Sequence, residues 1–177
     1  MDMSALLPKL EKAVPKAVLN IRPFGHGKEI SLWVEMRAIA SVAQFLCEQT
    51  SEKLDCLENL SVMEIEGALV LTYFLRSSQN NETCILRGSL VPKSADAETE
   101  APSVSPTWPM AQAYEDQAAE LFGVRFTGGP PLKRQMLPDG WLGYPLRKNY
   151  IFPAEVDGIL HMRPVGRTEP DEFGVHS

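Results

Sequence analysis

The sequence predicts an α+β fold: a small, mostly antiparallel sheet packed by helices, with an extended Pro/Gly-rich C-terminal tail. Three observations lead there. Residues 30–35 and 61–91 carry the alternation and β-rich composition of short strands. Residues 36–49 and 108–122 repeat apolar side chains at helical spacing, and seven of the 14 prolines fall in the last 54 of 177 residues. At this length one domain with a tail is the expectation, divided as an α+β domain over 1–123, ending in a helix at 108–122, and a partner-binding tail over 124–177.

The elements follow in order. Residues 2–14 suit a short amphipathic helix ended by Pro15, and Ala17 to Ile21 a brief strand. Ile30, Leu32 and Val34 alternate with Ser31, Trp33 and Glu35, which is the period of a half-buried strand. Met36, Ile39, Ala40, Ala43 and Leu46 then recur at helical spacing, leaving Arg37, Gln44 and Glu48 for water. Ser61–Glu66, Leu69–Arg76 and Thr83–Val91 read as three successive antiparallel strands. Glu66-Gly67 supplies a tight turn between the first two and residues 77–81 a longer link, both too short for a parallel crossover. The strand at 30–35 completes the sheet.

Lys93 to Pro106, rich in Ala, Ser, Pro and acid, reads as an exposed connection without chemistry. The helix that follows has Pro109 near its first turn and places Ala111, Tyr114, Ala118 and Leu121 on one face. Gly123 stands where a left-handed residue ends a helix.

Composition narrows the function. An apolar share of 44% and a charged share of 23% are those of a globular protein. No apolar run approaches the ~18 residues of a membrane span, and Met1 to Lys16 lacks the continuous apolar core of a secretory signal, so a cytoplasmic chain is the expectation. Cys47, Cys56 and Cys84 are odd in number and widely spaced, without a CxxC pair. They read as reduced, buried thiols rather than disulfide, zinc or iron–sulfur ligands. His26, His161 and His176 stand far apart. Gly25-His26-Gly27 reads as a turn, since no third glycine and no following helix complete a dinucleotide fingerprint. Thr127 to Arg134 lacks the lysine and hydroxyl ending of a phosphate loop.

The net charge of −6 is unevenly spread. Residues 124–150 hold Arg125, Lys133, Arg134, Arg147 and Lys148 against Asp139 alone, which leaves 12 basic and 22 acidic residues elsewhere. The segment is +4 and the remainder −10. Its charges are interleaved with Phe126, Leu132, Met136, Leu137, Trp141, Leu142, Tyr144, Leu146, Tyr150 and Ile151. Aromatic anchors beside arginine are what the centre of a protein contact requires. RNA could use the same mixture by stacking, but a −10 remainder repels phosphate, and no nucleic-acid partner is expected.

Ordered matches then point to a family. Glu115-Asp116-Gln117 followed by Glu120-Leu121-Phe122-Gly123-Val124-Arg125-Phe126-Thr127-Gly128 resembles a helix bearing ERE and the run D-[LM]-[FY]-G-[IV]-x-F-x-G-H-P. Leu132-Lys133-Arg134, Pro138-Asp139-Gly140-Trp141 and Gly143-Tyr144-Pro145-Leu146-Arg147-Lys148-Asn149-Tyr150 resemble L-[RK]-R, a turn with tryptophan, and GHPLRKDY. In these motifs the chain resembles the C-subunit family of NADH:quinone oxidoreductase (complex I), shared with energy-converting [NiFe]-hydrogenase and formate hydrogenlyase homologues. The sequence departs from them at Asp116, Gln117, Glu120, Gly129, Tyr144 and Asn149, where the family has arginine, glutamate, aspartate, histidine, histidine and aspartate. An ion-pair lattice built on ERE is not expected.

The resemblance implies a connecting subunit of a membrane-associated oxidoreductase, without catalytic residues or a cofactor of its own. Flavin, iron–sulfur clusters or nickel–iron are expected only in partner subunits. It also implies docking on the large, hydrogenase-like subunit of D type beside neighbouring iron–sulfur subunits, on the cytoplasmic face of the inner membrane. Membrane contact is expected only through the complex. The residues implied for partner binding are Glu115, Glu120, Phe122, Arg125, Arg134, Trp141, Pro145, Leu146, Arg147, Lys148 and Tyr150, with Arg147 and Lys148 as a pair of docking cations. The same role in a hydrogenase complex, or a stand-alone RNA- or protein-binding module, are the alternatives.

Overall fold

The fold was obtained as a computed structural model, which describes residues 3–24, 29–50, 53–94, 97–152, 155–156 and 159–160. The turn expected at 25–27 and the three histidines lie outside these residues. Helix α1 (Met3–Ala13) precedes strands β1 (Val18–Phe24) and β2 (Glu29–Val34), a 3-10 turn (Met36–Ala38) and helix α2 (Ile39–Glu48). Strands β3 (Cys56–Ile65), β4 (Ala68–Arg76), β5 (Thr83–Leu90) and β6 (Thr99–Pro102) lead to helix α3 (Ala111–Phe122) and strand β7 (Val124–Thr127). Two short strands, Glu155–Val156 and Ile159–Leu160, pair with each other beyond it.

β1 to β5 form one sheet in the order β1-β2-β5-β4-β3, antiparallel except where β2 meets β5. That parallel pair exists because α2 carries the chain from β2 across to the far edge, from which β3, β4 and β5 return by hairpins. Glu66 and Gly67 have φ of 50° and 78°, two consecutive left-handed residues, as the tight turn between β3 and β4 requires. β1 is the edge strand and so accommodates Pro23, whose missing N–H would break a central ladder. Alternate residues of β2, β4 and β5 face the helices, although β4 is buried on both faces over residues 69–73. Leu32, Val34, Leu71, Tyr73, Leu75 and Leu86 face one core with Leu10 of α1 and Ile39, Val42 and Leu46 of α2. Trp108 closes that core, 2% exposed, with its Nε1–H donated to the Leu54 carbonyl at 3.0 Å.

The fold class is the one the sequence predicts, but one segment is not. Residues 93–106, expected to be an exposed connection, contain β6, which pairs in parallel with β7. Ala101, Ser103, Val104 and Ser105 are buried. The reason is tertiary: β7 leaves α3 with an unpaired edge, and this segment lies beside it.

Gly123 ends α3 in the left-handed region at φ 68°, donating its N–H to the Ala119 carbonyl at 3.0 Å. A Cβ there would lie 2.5 Å from the Tyr144 ring. Gly123→Ala should therefore lower stability by about 1–2 kcal/mol, read as a shifted urea midpoint at constant slope.

Candidate docking surface

The chain from Gly128 to Phe152 has no regular secondary structure and lies as a strap across α3. What fastens it is the helix's own acids. Glu120, 5% exposed, accepts the backbone N–H groups of Gln135, of Met136 at 3.0 Å and of Leu137 at 2.9 Å. Burial would raise its pKa, but those three amides and the Arg134 charge together hold the carboxyl below its ordinary range. One turn earlier Asp116 accepts from the side chain of Gln112 at 2.7 Å, and from the Lys133 N–H and the Gln135 side chain, each at 3.2 Å. Glu115, 2% exposed, turns to the other side and binds the loop after β6, accepting from Ser103 Oγ at 2.6 Å and Val104 N–H at 2.8 Å. Burial pushes its carboxyl up, partly offset by those donors.

The C-terminus of α3 is held from the strap's far end. Arg147, 5% exposed, donates Nε–H to the Phe122 carbonyl at 2.7 Å. A terminal nitrogen reaches the Ala97 carbonyl at 2.8 Å and the Gly123 carbonyl at 3.4 Å. A cation set on the last carbonyls of a helix satisfies acceptors that have no intrahelical donor and meets the negative end of the dipole. The guanidinium also lies 4.8 Å from the centre of the Tyr144 ring. The Tyr144 hydroxyl donates to Glu98 at 2.8 Å and is pushed up to about 12, by burial first and then by that carboxylate. Leu146 N–H donates to the Leu121 carbonyl at 3.1 Å and Lys148 N–H to Glu64 at 2.8 Å, so the PLRK run is stitched to the body on both sides.

The residues read from sequence as one partner-binding set thus divide. Glu115, Glu120 and Arg147 are buried and bound to their own chain, and Phe122 is half-buried. Arg147 and Lys148 differ in exposure: Arg147 is buried, whereas Lys148 is exposed. Arg125 is exposed and paired with Glu100. Arg134, Leu146 and Lys148 are exposed, and Trp141, Pro145 and Tyr150 half-buried.

The strap also exposes large apolar side chains. Leu132, Met136 and Leu146 are exposed, as are Leu142 at 83%, Ile151 at 77% and Phe152. Trp141 and Tyr150 pack edge-on against Phe152, with ring centres 5.7 and 6.4 Å away. Trp141 Nε1 and the Tyr150 hydroxyl are buried and have no hydrogen-bond partner among the described residues.

Sequence reasoning missed the inner anchors Glu98, Ser103 and Glu64, for which no local signal exists. Asp116 appeared only as a departure from the family pattern. Leu142 and Ile151 were legible as apolar residues in a segment too rich in proline to bury them. Among the described residues no group of three or more His, Cys, Asp or Glu is placed to hold a metal, and no helix is long and apolar enough to cross a membrane. Cys84 is buried, which pushes its thiol up to about 12, while Cys47 and Cys56 are half-buried, against the expectation that all three would be buried.

Comparison with known proteins bears on this surface. The model of the respiratory-chain NADH dehydrogenase 30 kDa subunit family matches residues 32–156. The C subunit of NADH-quinone oxidoreductase from Roseiflexus sp. (strain RS-1) is 30% identical over 158 residues, covering 88% of this chain and 87% of that protein. The corresponding C subunit of Geobacter sulfurreducens is 30% identical over 145 residues, covering 80% and 85%. The C/D subunit of NADH-quinone oxidoreductase from Acidiphilium cryptum is 27% identical over 134 residues, which are 70% of this chain and 22% of that one. Among solved structures, a chain of the membrane-bound sulfane sulfur reductase, an archaeal respiratory membrane complex, superposes with a TM-score of 0.59 at 18% identity. The match covers 81% of this chain and 79% of that one.

Proposed function

The chain belongs to the family of the respiratory-chain NADH dehydrogenase 30 kDa subunit, the C subunit of NADH-quinone oxidoreductases, and from that premise we propose that it is a connecting subunit that docks on the large, D-type subunit of such a complex through the outer side of its strap. The observation that carries this reading is the exposed apolar row with its aromatic cluster. Leu142, Leu146, Ile151 and Phe152 are exposed along it, and the basic Arg134 and Lys148 are exposed in the same segment. Proteins named as C/D subunits support the choice of partner: a stretch similar to this chain makes up about a fifth of the Acidiphilium protein, and covalent union of two subunits favours pairs that touch.

In this reading the chain supplies no electron carrier. Flavin and iron–sulfur clusters sit in its partners, and it reaches the cytoplasmic face of the membrane only through them. Its work is mechanical: α3 and the sheet are a rigid platform, and the strap is the adhesive face. The basic charge left outside is small, because Arg147 is turned inward and Arg125 is paired, which disfavours RNA.

Leu142→Asp with Leu146→Asp should lose the large subunit on affinity purification, at about 2 kcal/mol for each anchor, while the isolated chain keeps its thermal midpoint. Undiminished recovery of the large subunit would remove the strap from the interface.

A further inference from the structure

The sheet has a second face, opposite the one the helices cover. Because Leu32 and Val34 point into the core, the alternation of β2 places Ser31 and Trp33 on that other face. The register sets Arg22 of β1 across from Ser31, Asn20 across from Trp33, and Trp33 beside Arg87 of β5. Together with Phe24 these residues line a concavity of about 490 Å³ at the sheet's β1 edge.

Its polar groups are prepared but unused. The Arg87 guanidinium carbon lies 5.3 Å from the centre of the Phe24 ring and 5.8 Å from that of Trp33. Arg87 Nε is buried with no hydrogen-bond partner among the described residues. Ser31 is 2% exposed, and its hydroxyl is likewise buried and unpartnered. Leaving two buried polar groups without partners costs stability that a ligand would return.

We propose that this concavity binds a carboxylate side chain of an acidic protein segment, held edge-on by Arg87, with Ser31 donating a hydrogen bond and Arg22 supplying a second charge. A planar group with two oxygens fits a guanidinium fork approached in its plane. The aromatic walls suit the methylenes behind a Glu or Asp carboxylate. Two arginines, Arg22 and Arg87, give this edge positive charge on a chain of net charge −6. The site lies on the sheet face away from the core, so it does not depend on the strap's role.

The test is a titration of the full ¹⁵N-labelled chain with a hexaglutamate peptide, read at the Arg87 Nε–H, the Ser31 amide and the Trp33 indole. Saturable shifts at these three resonances are expected, absent in Arg87→Gln, reduced in Arg87→Lys and about fivefold weaker in Ser31→Ala. Shifts that persist in Arg87→Gln, an affinity unchanged in Ser31→Ala, or no shifts at these positions in the wild type, would overturn the assignment. Displacement of the peptide by equimolar inorganic phosphate would also overturn it, identifying a site for a free oxyanion instead.

Discussion

Replacing Arg147 by Met is expected to destabilise the isolated chain by about 3 kcal/mol, measured from urea unfolding. Methionine keeps much of the side chain's length and bulk, so the loss is electrostatic rather than a cavity. The carbonyls of Phe122 and Ala97 lose charge-assisted donors at 2.7 and 2.8 Å, and that of Gly123 a longer one. The first and last belong to the end of α3, where no intrahelical N–H can replace the guanidinium. Arg147→Lys should recover part of the loss, since one ammonium cannot span the same carbonyls in a fixed plane. Lys148→Met, one residue on, should change stability by less than about 0.5 kcal/mol, because its side chain faces water. Equal stability of the Arg147→Met chain and the wild type would refute the anchoring role.

Glu115→Ala is the second large expectation, at about 3 kcal/mol. It strips acceptors from Ser103 Oγ and Val104 N–H, both buried, and opens space beneath α3 beside the β6 to α3 connection. Glu115→Gln separates charge from shape. The Glu115 pKa is raised above the ordinary 4.5, so its favourable state in the fold is the protonated one. Wild-type stability falls as pH rises from that value through the folded pKa. Glu120 has the opposite sign. Its pKa is lowered, so its contribution is complete above 4.5 and lost as pH falls through the folded value. Urea midpoints against pH should therefore lose their slope above 4.5 in Glu115→Gln and below 4.5 in Glu120→Gln. If Glu115→Gln leaves the upper limb unchanged, Glu115 does not titrate as its burial requires.

These variants explain how the departures from the family's charged signature are accommodated. With Asp116 where the family has arginine, the helix carries Glu115, Asp116 and Glu120 within two turns, and like charges so close are unfavourable in a lattice of side chains. The fold distributes them among different donors: Glu115 to the loop after β6, Asp116 to Gln112, Lys133 and Gln135, and Glu120 to three successive amides of the strap. Backbone N–H groups neutralise the acids without requiring a basic residue at a fixed position.

Much of this was legible in the residues. Alternation at 30–34, and β-rich runs separated by turn residues in the three later strands, gave the sheet. Helical spacing and Gly123 gave α3 and its end. The proline-rich apolar run from Leu132 to Ile151 pointed to a contact surface, since such a chain has little means of burying its own hydrophobes. β6 was hidden, because a four-residue strand rich in acid and alanine acquires its structure only from the neighbour that pairs with it. The roles of Glu64 and Glu98 were hidden for the same reason, their partners being 84 and 46 residues away.

What the sequence by itself determined is the α+β class, the family and the position of the apolar and basic segment, all of which rest on local periodicity, composition and ordered motifs. The tertiary structure alone decided which charges of the PLRK run and the α3 acids face inward. That choice depends on whether a carbonyl or amide without a partner lies within about 3 Å, the reach of a hydrogen bond, and only the folded chain brings Arg147 to the end of α3 or Glu120 to the strap.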